Sequence, residues 1–417
     1  MTLPSLSETT TSLFVIRCSS SAPENERYID TKSHLETSHE LTKSRVVRGV
    51  LELGQGYRRA KYRELDKRKA SGKRAETEMR NLCLFADPPR CHSSSIIHSL
   101  SSQARMTTEA STSAFNRTDV KFASGNELCA AWVYRPTAPP LGTRSTSSSA
   151  RFPAMILGHG LGGIKEMGLD RYASRFVSLG IVCVVFDYRH FGESGGEPRQ
   201  LLDINLQLQD WDAALNYTSK LEDVDSERIG NFGSSFGGGH VISVAANDKR
   251  VKAVISQCPF TSGLHSSQTV GVLPLLKLGV LGLKDMLFSS KNTIVPVKLA
   301  GKPGETALMN APDVQQYRKI VPPHLESSYK DYVAARFALH IAFYNPGWNT
   351  ASVACPILFA VCGKDSVAPP RPTLEYAKNA PKATIKHYEQ MGHFDIYLGE
   401  FFDLATKDYL DFLRDNL

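Results

Sequence analysis

Hydrophobic and polar positions fall into a regular rhythm only from Asp119 onward, where short apolar runs alternate with longer amphipathic stretches. The runs predict strands near Val120 to Ala123, Leu128 to Tyr134, Ala154 to Leu157, Ile181 to Phe186, Arg228 to Phe232, Val251 to Ser256, Ile357 to Val361 and Thr384 to Tyr388. Helix-length segments lie between them at Lys165 to Ser178, Leu201 to Ser219, Phe236 to Ala246, Thr373 to Asn379 and Ile396 to Arg414. The first two strands read as a leading hairpin, closed off by a Pro, Gly and Ser-rich loop from Thr137 to Ala150. The remainder is the βαβ rhythm of an α/β fold: a mostly parallel, twisted sheet with helices on both faces.

One interval breaks the rhythm. The stretch from Gln257 to Pro356 is far longer than a crossover needs, so residues of about 260–350 form an insertion between the sixth and seventh strands. Its apolar segment Val272 to Phe288 and its amphipathic segment Tyr329 to Phe343 predict a helical cap. Such a cap is either a lid over the C-terminal strand edge, where this class of sheet binds ligands, or a helical subdomain remote from it.

Residues 1–105 are rich in Ser, Thr and charge and lack a sustained period, apart from a short basic helix predicted near 57–80. They are expected to be a disordered basic extension, with the catalytic domain at 106–417; Met106 resembles an ordinary protein start. The net charge of +7 belongs almost wholly to this extension, which carries +6 of it. Its cluster around Arg58, Arg59, Lys61 and Arg63 is either a solvated face or a contact for phosphate or anionic lipid. The rest of the chain is nearly neutral, so the charge gives no case for a nucleic-acid partner.

The eight cysteines, Cys18, Cys83, Cys91, Cys129, Cys183, Cys258, Cys355 and Cys362, show neither a CxxC pair nor zinc-ligand spacing, and are expected to be reduced core residues. No signal-peptide pattern and no apolar run of membrane-spanning length stands out, and the C-terminal Asp415-Asn416-Leu417 differs from a peroxisomal address. The expected location is the cytoplasm.

The candidate chemistry lies at strand ends. The strand Arg228 to Phe232 runs into Gly233-Ser234-Ser235-Phe236-Gly237 and then a helix, the strand, sharp turn and helix that a nucleophile elbow requires. A serine hydroxyl is a weak nucleophile, so it needs a base within reach and an acid to hold that base in the right tautomer. Asp365 follows the seventh strand and His393 follows the eighth, in the order serine, acid, histidine. Asp187, at the end of Phe186-Asp187, is an alternative acid. Asp395 reads as a turn former, Ser234 as the off-centre neighbour and His240 as a helix residue pointing away.

An oxyanion hole needs two preorganised N–H groups. Phe236 supplies one, and Leu161 in the glycine-rich turn His159-Gly160-Leu161-Gly162-Gly163 is the expected second. No metal-ligand cluster and no nucleotide-binding glycine pattern appears, so neither a metal nor another cofactor is expected.

These segments carry a resemblance that spans Asp119 to the C-terminus. They are His159 to Gly163 with Lys165-Glu166, Phe186 to Ser194 with Gly196-Glu197-Pro198-Arg199, and Gly233 to Gly239, with Asp365 and His393 at the acid and base positions. The chain resembles α/β-hydrolases of the dienelactone-hydrolase-like and YcjY-like kind, and more closely the fungal polyketide transferase family; dienelactone hydrolases proper carry a Cys where this chain has Ser235. The resemblance implies a hydrolase or acyltransferase of fungal secondary metabolism, toxin biosynthesis included. Such an enzyme moves or releases a polyketide acyl group from an ester or thioester, either free or held on a carrier protein. The alternatives are a general carboxylesterase, a peptidase on the same three residues, and a catalytically silent binding protein.

Overall fold

The computed structural model describes residues 115–137 and 151–417, all within one compact unit, Thr107–Leu417. The expected extension at 1–105, with its basic cluster, lies outside the described residues.

An eight-stranded sheet is the frame. Its strands are β1 (Phe115–Ser124), β2 (Glu127–Pro136), β3 (Phe152–Gly158), β4 (Val182–Phe186), β5 (Val224–Ser234), β6 (Val251–Gln257), and, after the insertion, Ile357–Cys362 and Ala383–Tyr388. β1 pairs with β2, and β2 with β4, antiparallel; every other pairing in this sheet is parallel. In space β3 lies between β4 and β5, so β3, β4, β5 and β6 are flanked on both sides. Burial on both faces demands continuous apolar sequence, and β4 (Val-Cys-Val-Val-Phe) is buried at every position.

The crossovers are α1 (Leu169–Val177), α2 (Ile204–Thr218), α3 (Phe236–Asn247) and the helices Pro370–Ala377 and Gly399–Asn416. α1 packs with the C-terminal helix and α2 with α3, the two helical layers of the sandwich. Helix starts follow local chemistry. The Asp203 side chain accepts the Leu206 N–H at the start of α2. The predicted helix from Lys165 begins only at Leu169, because Gly168 takes a left-handed φ of 89° and the Lys165 N–H is drawn off to Asp187.

Between β6 and Ile357 the chain leaves the main sheet. The insertion contains α4 (Gly263–Gln268), α5 (Val272–Phe288) and a separate three-stranded sheet of β7 (Pro296–Ala300), β8 (Ala307–Met309) and β9 (Tyr332–Ala334). The expected helix over Tyr329 to Phe343 is therefore a correction: this stretch forms β9 and then short 3-10 turns at Ala335–Leu339 and Ile341–Phe343. Tertiary pairing overrides the amphipathic pattern here. β9 bonds antiparallel to β7, Ala334 N–H donates to Gln200 O at 2.9 Å, and Gln200 Nε2 donates to Tyr332 O at 2.9 Å. Ile357–Cys362 and Ala383–Tyr388 are accordingly β10 and β11, and the last two helices α6 and α7.

Candidate active site

Ser235 sits between the end of β5 and the start of α3, with φ 56° and ψ −115°, a conformation that non-glycine residues rarely occupy. The surrounding glycines make the turn possible. A Cβ on Gly233 would lie 2.1 Å from Gly237 O, and one on Gly237 would lie 2.4 Å from His159 O. Both positions must lack a side chain for the elbow to close.

His393 stands in the loop after β11 and Asp365 in the loop after β10. His393 Nε2 lies 2.9 Å from Ser235 Oγ, and His393 Nδ1 lies 2.6 Å from Asp365 Oδ2. The other oxygen of Asp365 accepts the N–H groups of Val367 at 2.8 Å and Ala368 at 2.7 Å, which fixes the carboxylate plane. His393 is fully buried and Asp365 nearly so, whereas Ser235 keeps partial exposure. The arrangement fixes one imidazole tautomer: Nδ1 donates to the carboxylate, leaving Nε2 to accept the serine proton.

The competing residues are occupied elsewhere. Asp187 accepts Lys165 N–H at 2.7 Å and Lys165 Nζ at 3.0 Å, so it braces the glycine-rich turn and is not the partner of His393. Burial would lower the Lys165 ammonium, but Asp187, Glu166 and Glu193 around it reverse this and hold it protonated. Ser234 is buried against Tyr397 Oη and Gln257 Nε2. His240 bonds Tyr344 Oη at 2.8 Å and Gln207 Oε1 at 2.9 Å, and burial drives its pKa down to about 3. Asp395 accepts Gly392 N–H at 2.8 Å and closes the turn that carries His393.

Phe236 opens α3, where first-turn amides have no intrahelical acceptor, so its N–H is free to meet a developing oxyanion. Leu161 lines the same cavity as Ser235 and Phe236, and among the described residues its N–H donates to no protein acceptor. The turn is held from behind. Tyr188 Oη donates to His159 O at 3.2 Å, and His159 donates from Nε2 to Met167 O at 3.0 Å while Nδ1 accepts Gly160 N–H at 2.7 Å. Burial lowers the His159 pKa to about 4, which keeps the ring in this neutral form.

Two residues of the site escape sequence reasoning: His159, which carries only a glycine-rich neighbourhood as a signal, and Asp313, which carries none. Asp313 belongs to the insertion, in the 3-10 segment Pro312–Ile320. Its Oδ2 accepts His393 N–H at 3.0 Å and Ser366 N–H at 2.9 Å, and its own N–H donates to Ser366 Oγ at 3.1 Å. One carboxylate thus ties together the loops that carry the histidine and the acid.

Ser235 opens into a cavity of about 90 Å³. Leu275, Leu278 and Gly279 of α5, together with Leu308, Met309 and Ile341, give it a mainly apolar wall drawn from the insertion. Among the described lining residues none carries a charged side chain. Of the metal-ligating side chains described, Glu166, Asp187 and Glu193 cluster, and the Lys165 ammonium already occupies their centre at 2.5–3.0 Å.

A serine on a strained elbow at the C-terminal edge of a mostly parallel sheet, backed by histidine and carboxylate, defines a serine hydrolase of the α/β-hydrolase fold. Residues 149–396 match the family described as serine aminopeptidase, S33, and the chain belongs to that family. It is 47% identical over 300 residues to the quorum-quenching protein AidA of Acinetobacter baumannii, covering 71% of this chain and 94% of that protein. It is 26% identical over 281 residues to the thiohydrolase aneE of Aspergillus aculeatus, covering 64% and 87%. Among solved structures, DcsB in complex with its substrate analogue superposes with a TM-score of 0.60 at 23% identity, over 72% of this chain and all of that one, which is a likeness of fold. Among the described residues no helix is long and apolar enough to cross a membrane.

Proposed function

We propose that this protein is a serine-dependent hydrolase or acyltransferase acting on an apolar acyl ester or thioester. The observation that carries the reading is the unbroken bond chain from Asp365 through His393 to Ser235, ending in an apolar cavity. Ser235 Oγ attacks the acyl carbon while His393 Nε2 takes its proton. The N–H groups of Phe236 and Leu161 hold the tetrahedral oxyanion, and Asp365 steadies the imidazolium. Collapse expels the alcohol or thiol, which leaves with the proton from His393, and an ester on Ser235 remains. Water then releases the acid, or an alcohol or amine takes the acyl group; in either case His393 removes the incoming proton and returns it to Ser235. The segment of about 260–350 acts as the lid that keeps bulk water from the intermediate.

The fungal relative, named a thiohydrolase, supports a thioester as the substrate; the acyl group we propose is of polyketide type, free or bound to a carrier protein. The Acinetobacter relative, named for quorum quenching, supports a second reading in which the acyl compound is a small signal molecule. A peptidase reading fits less well. An aminopeptidase must seat a free ammonium group, and the described cavity wall offers no carboxylate for it.

Intact mass of the protein, followed over time after mixing with a medium-chain acyl thioester, tests the reading, with Ser235→Ala as control. An acyl adduct on the wild type alone that persists until an alcohol is added identifies a transferase. Free acid without a lasting adduct identifies a hydrolase. Neither adduct nor acid across a series of acyl chains would overturn the proposal.

A further inference from the structure

The outward face of α5 is the least expected surface of the molecule. Along its 17 residues, Val272, Leu273, Leu276, Val280, Leu283, Met286, Leu287 and Phe288 point to solvent, each between 49% and 77% exposed. Isolated exposed leucines are ordinary, but a contiguous run of this size marks an interaction surface. The helix beneath is firmly seated. Pro274, Leu278, Gly282 and Asp285 form its buried face, and the Asp285 carboxylate accepts Arg336 Nε at 2.6 Å, Val295 N–H at 2.5 Å and Ser289 Oγ at 2.6 Å.

Leu273, Leu276, Val280, Leu283 and Leu287 recur at alternating steps of three and four, the spacing by which one helix offers a seam to another. The seam is nearly symmetric about Val280. We infer that α5 pairs antiparallel with α5 of a second copy of this chain, about a two-fold axis at Val280. In that arrangement Leu273 meets Leu287 of the second copy, Leu276 falls one residue step from its Leu283, still within side-chain reach, and Val280 meets itself, a self-complementary patch of the kind a two-fold dimer needs. The eight side chains offer on the order of 800 Å² per copy, the amount each partner buries in an interface of standard size. The inner face of the same helix supplies Leu275, Leu278 and Gly279 to the cavity, so pairing would also hold the cavity roof in place.

Charge separates this occupant from a lipid surface. Lys277 and Lys284 are exposed along one flank only, while the other flank holds Val272, Gly279 and Met286. Antiparallel pairing sets the lysine flank of one helix beside that of the other. Salt screens this repulsion and tightens the dimer, whereas attachment of the same lysines to anionic lipid weakens with salt.

Sedimentation equilibrium of the full chain at low and at half-molar salt is the test, alongside flotation with phosphatidylglycerol vesicles. The expected result is a dimer that tightens with salt. Leu276→Glu combined with Leu283→Glu should raise its dissociation constant by about a hundredfold or more, because unpaired carboxylates are then forced into the seam. These are surface positions, so fluorophosphonate labelling of Ser235 serves to show that the variant has folded. Val280→Cys should give an oxidised covalent dimer in excess of the wild type, since the axis brings the two thiols together. A monomeric full chain, a dimer that survives the double glutamate variant, or salt-sensitive vesicle binding in place of self-association would each overturn the inference.

Discussion

Asp313 lines no part of the cavity, yet its removal should cost turnover. Asp313→Ala deletes the acceptor of two N–H bonds, from His393 at 3.0 Å and Ser366 at 2.9 Å. Bonds to a charged acceptor contribute about 1.5–3 kcal/mol each when buried. Asp313 is only half-buried, so solvent screens its bonds, and the expected loss of stability is roughly 1–3 kcal/mol in total. The larger effect is geometric. The His393 loop loses its tie to the Asp365 loop, and proton transfer depends on the 2.9 Å contact between His393 Nε2 and Ser235 Oγ. A misplacement of about 1 Å costs on the order of a hundredfold in rate, so kcat should fall roughly 10- to 100-fold. KM should stay within about threefold, because the apolar wall that binds the acyl chain is untouched. Asp313→Asn keeps a carbonyl oxygen able to accept both N–H groups and should recover most of the turnover. Steady-state kinetics on a p-nitrophenyl acyl ester, with a thermal melt of each variant, reads both effects. A folded Asp313→Ala enzyme with wild-type kcat would show that the two loops hold their places without the insertion.

Asp365→Asn should preserve the fold but reduce kcat by about four orders of magnitude, because the amide no longer selects the tautomer that leaves Nε2 free; ester hydrolysis measured beside Ser235→Ala checks this. Leu278→Trp fills the cavity from α5 and should raise KM for long acyl chains while sparing acetyl esters, as a chain-length series would show. The buried histidines predict acid sensitivity. His159 and His240 have pKa values lowered by burial to about 4 and about 3, below the ordinary value near 6.5, so only the unfolded chain takes up these protons as the pH falls. Their contribution to stability is complete above about pH 6.5 and is lost on acidification, toward about pH 4 for His159 and about pH 3 for His240, at about 3 kcal/mol for His159 alone. Urea midpoints across that range should fall less steeply in His240→Gln than in the wild type; an equal slope would show that His240 is not held neutral in the fold.

Much of the molecule was legible in the sequence because it rests on short-range constraints. The continuous apolar run at β4 announces a strand buried on both faces, and Gly233 and Gly237 announce a turn that side chains would block. The convergence of Ser235, Asp365 and His393, which follow β5, β10 and β11, comes from topology, since parallel strands bring their C-terminal ends to one edge. Sequence left Asp187 open as an alternative acid, because a carboxylate at a strand end looks the same whether it faces a histidine or a lysine. Only the fold shows that Lys165 claims it.

The insertion is where sequence reading ran out. The amphipathic stretch from Tyr329 to Phe343 has a helical pattern, yet pairing of β9 with β7 and with the loop at Gln200 satisfies its backbone in another way. Asp313 has no motif around it, and its place beside His393 arises from contacts 80 residues apart in the chain. Sequence by itself determined the local geometry and the chemical types at the strand ends, through sterics and hydrophobic period. The tertiary structure decided which polar groups meet, because a carboxylate's partner is set by the path of the whole chain.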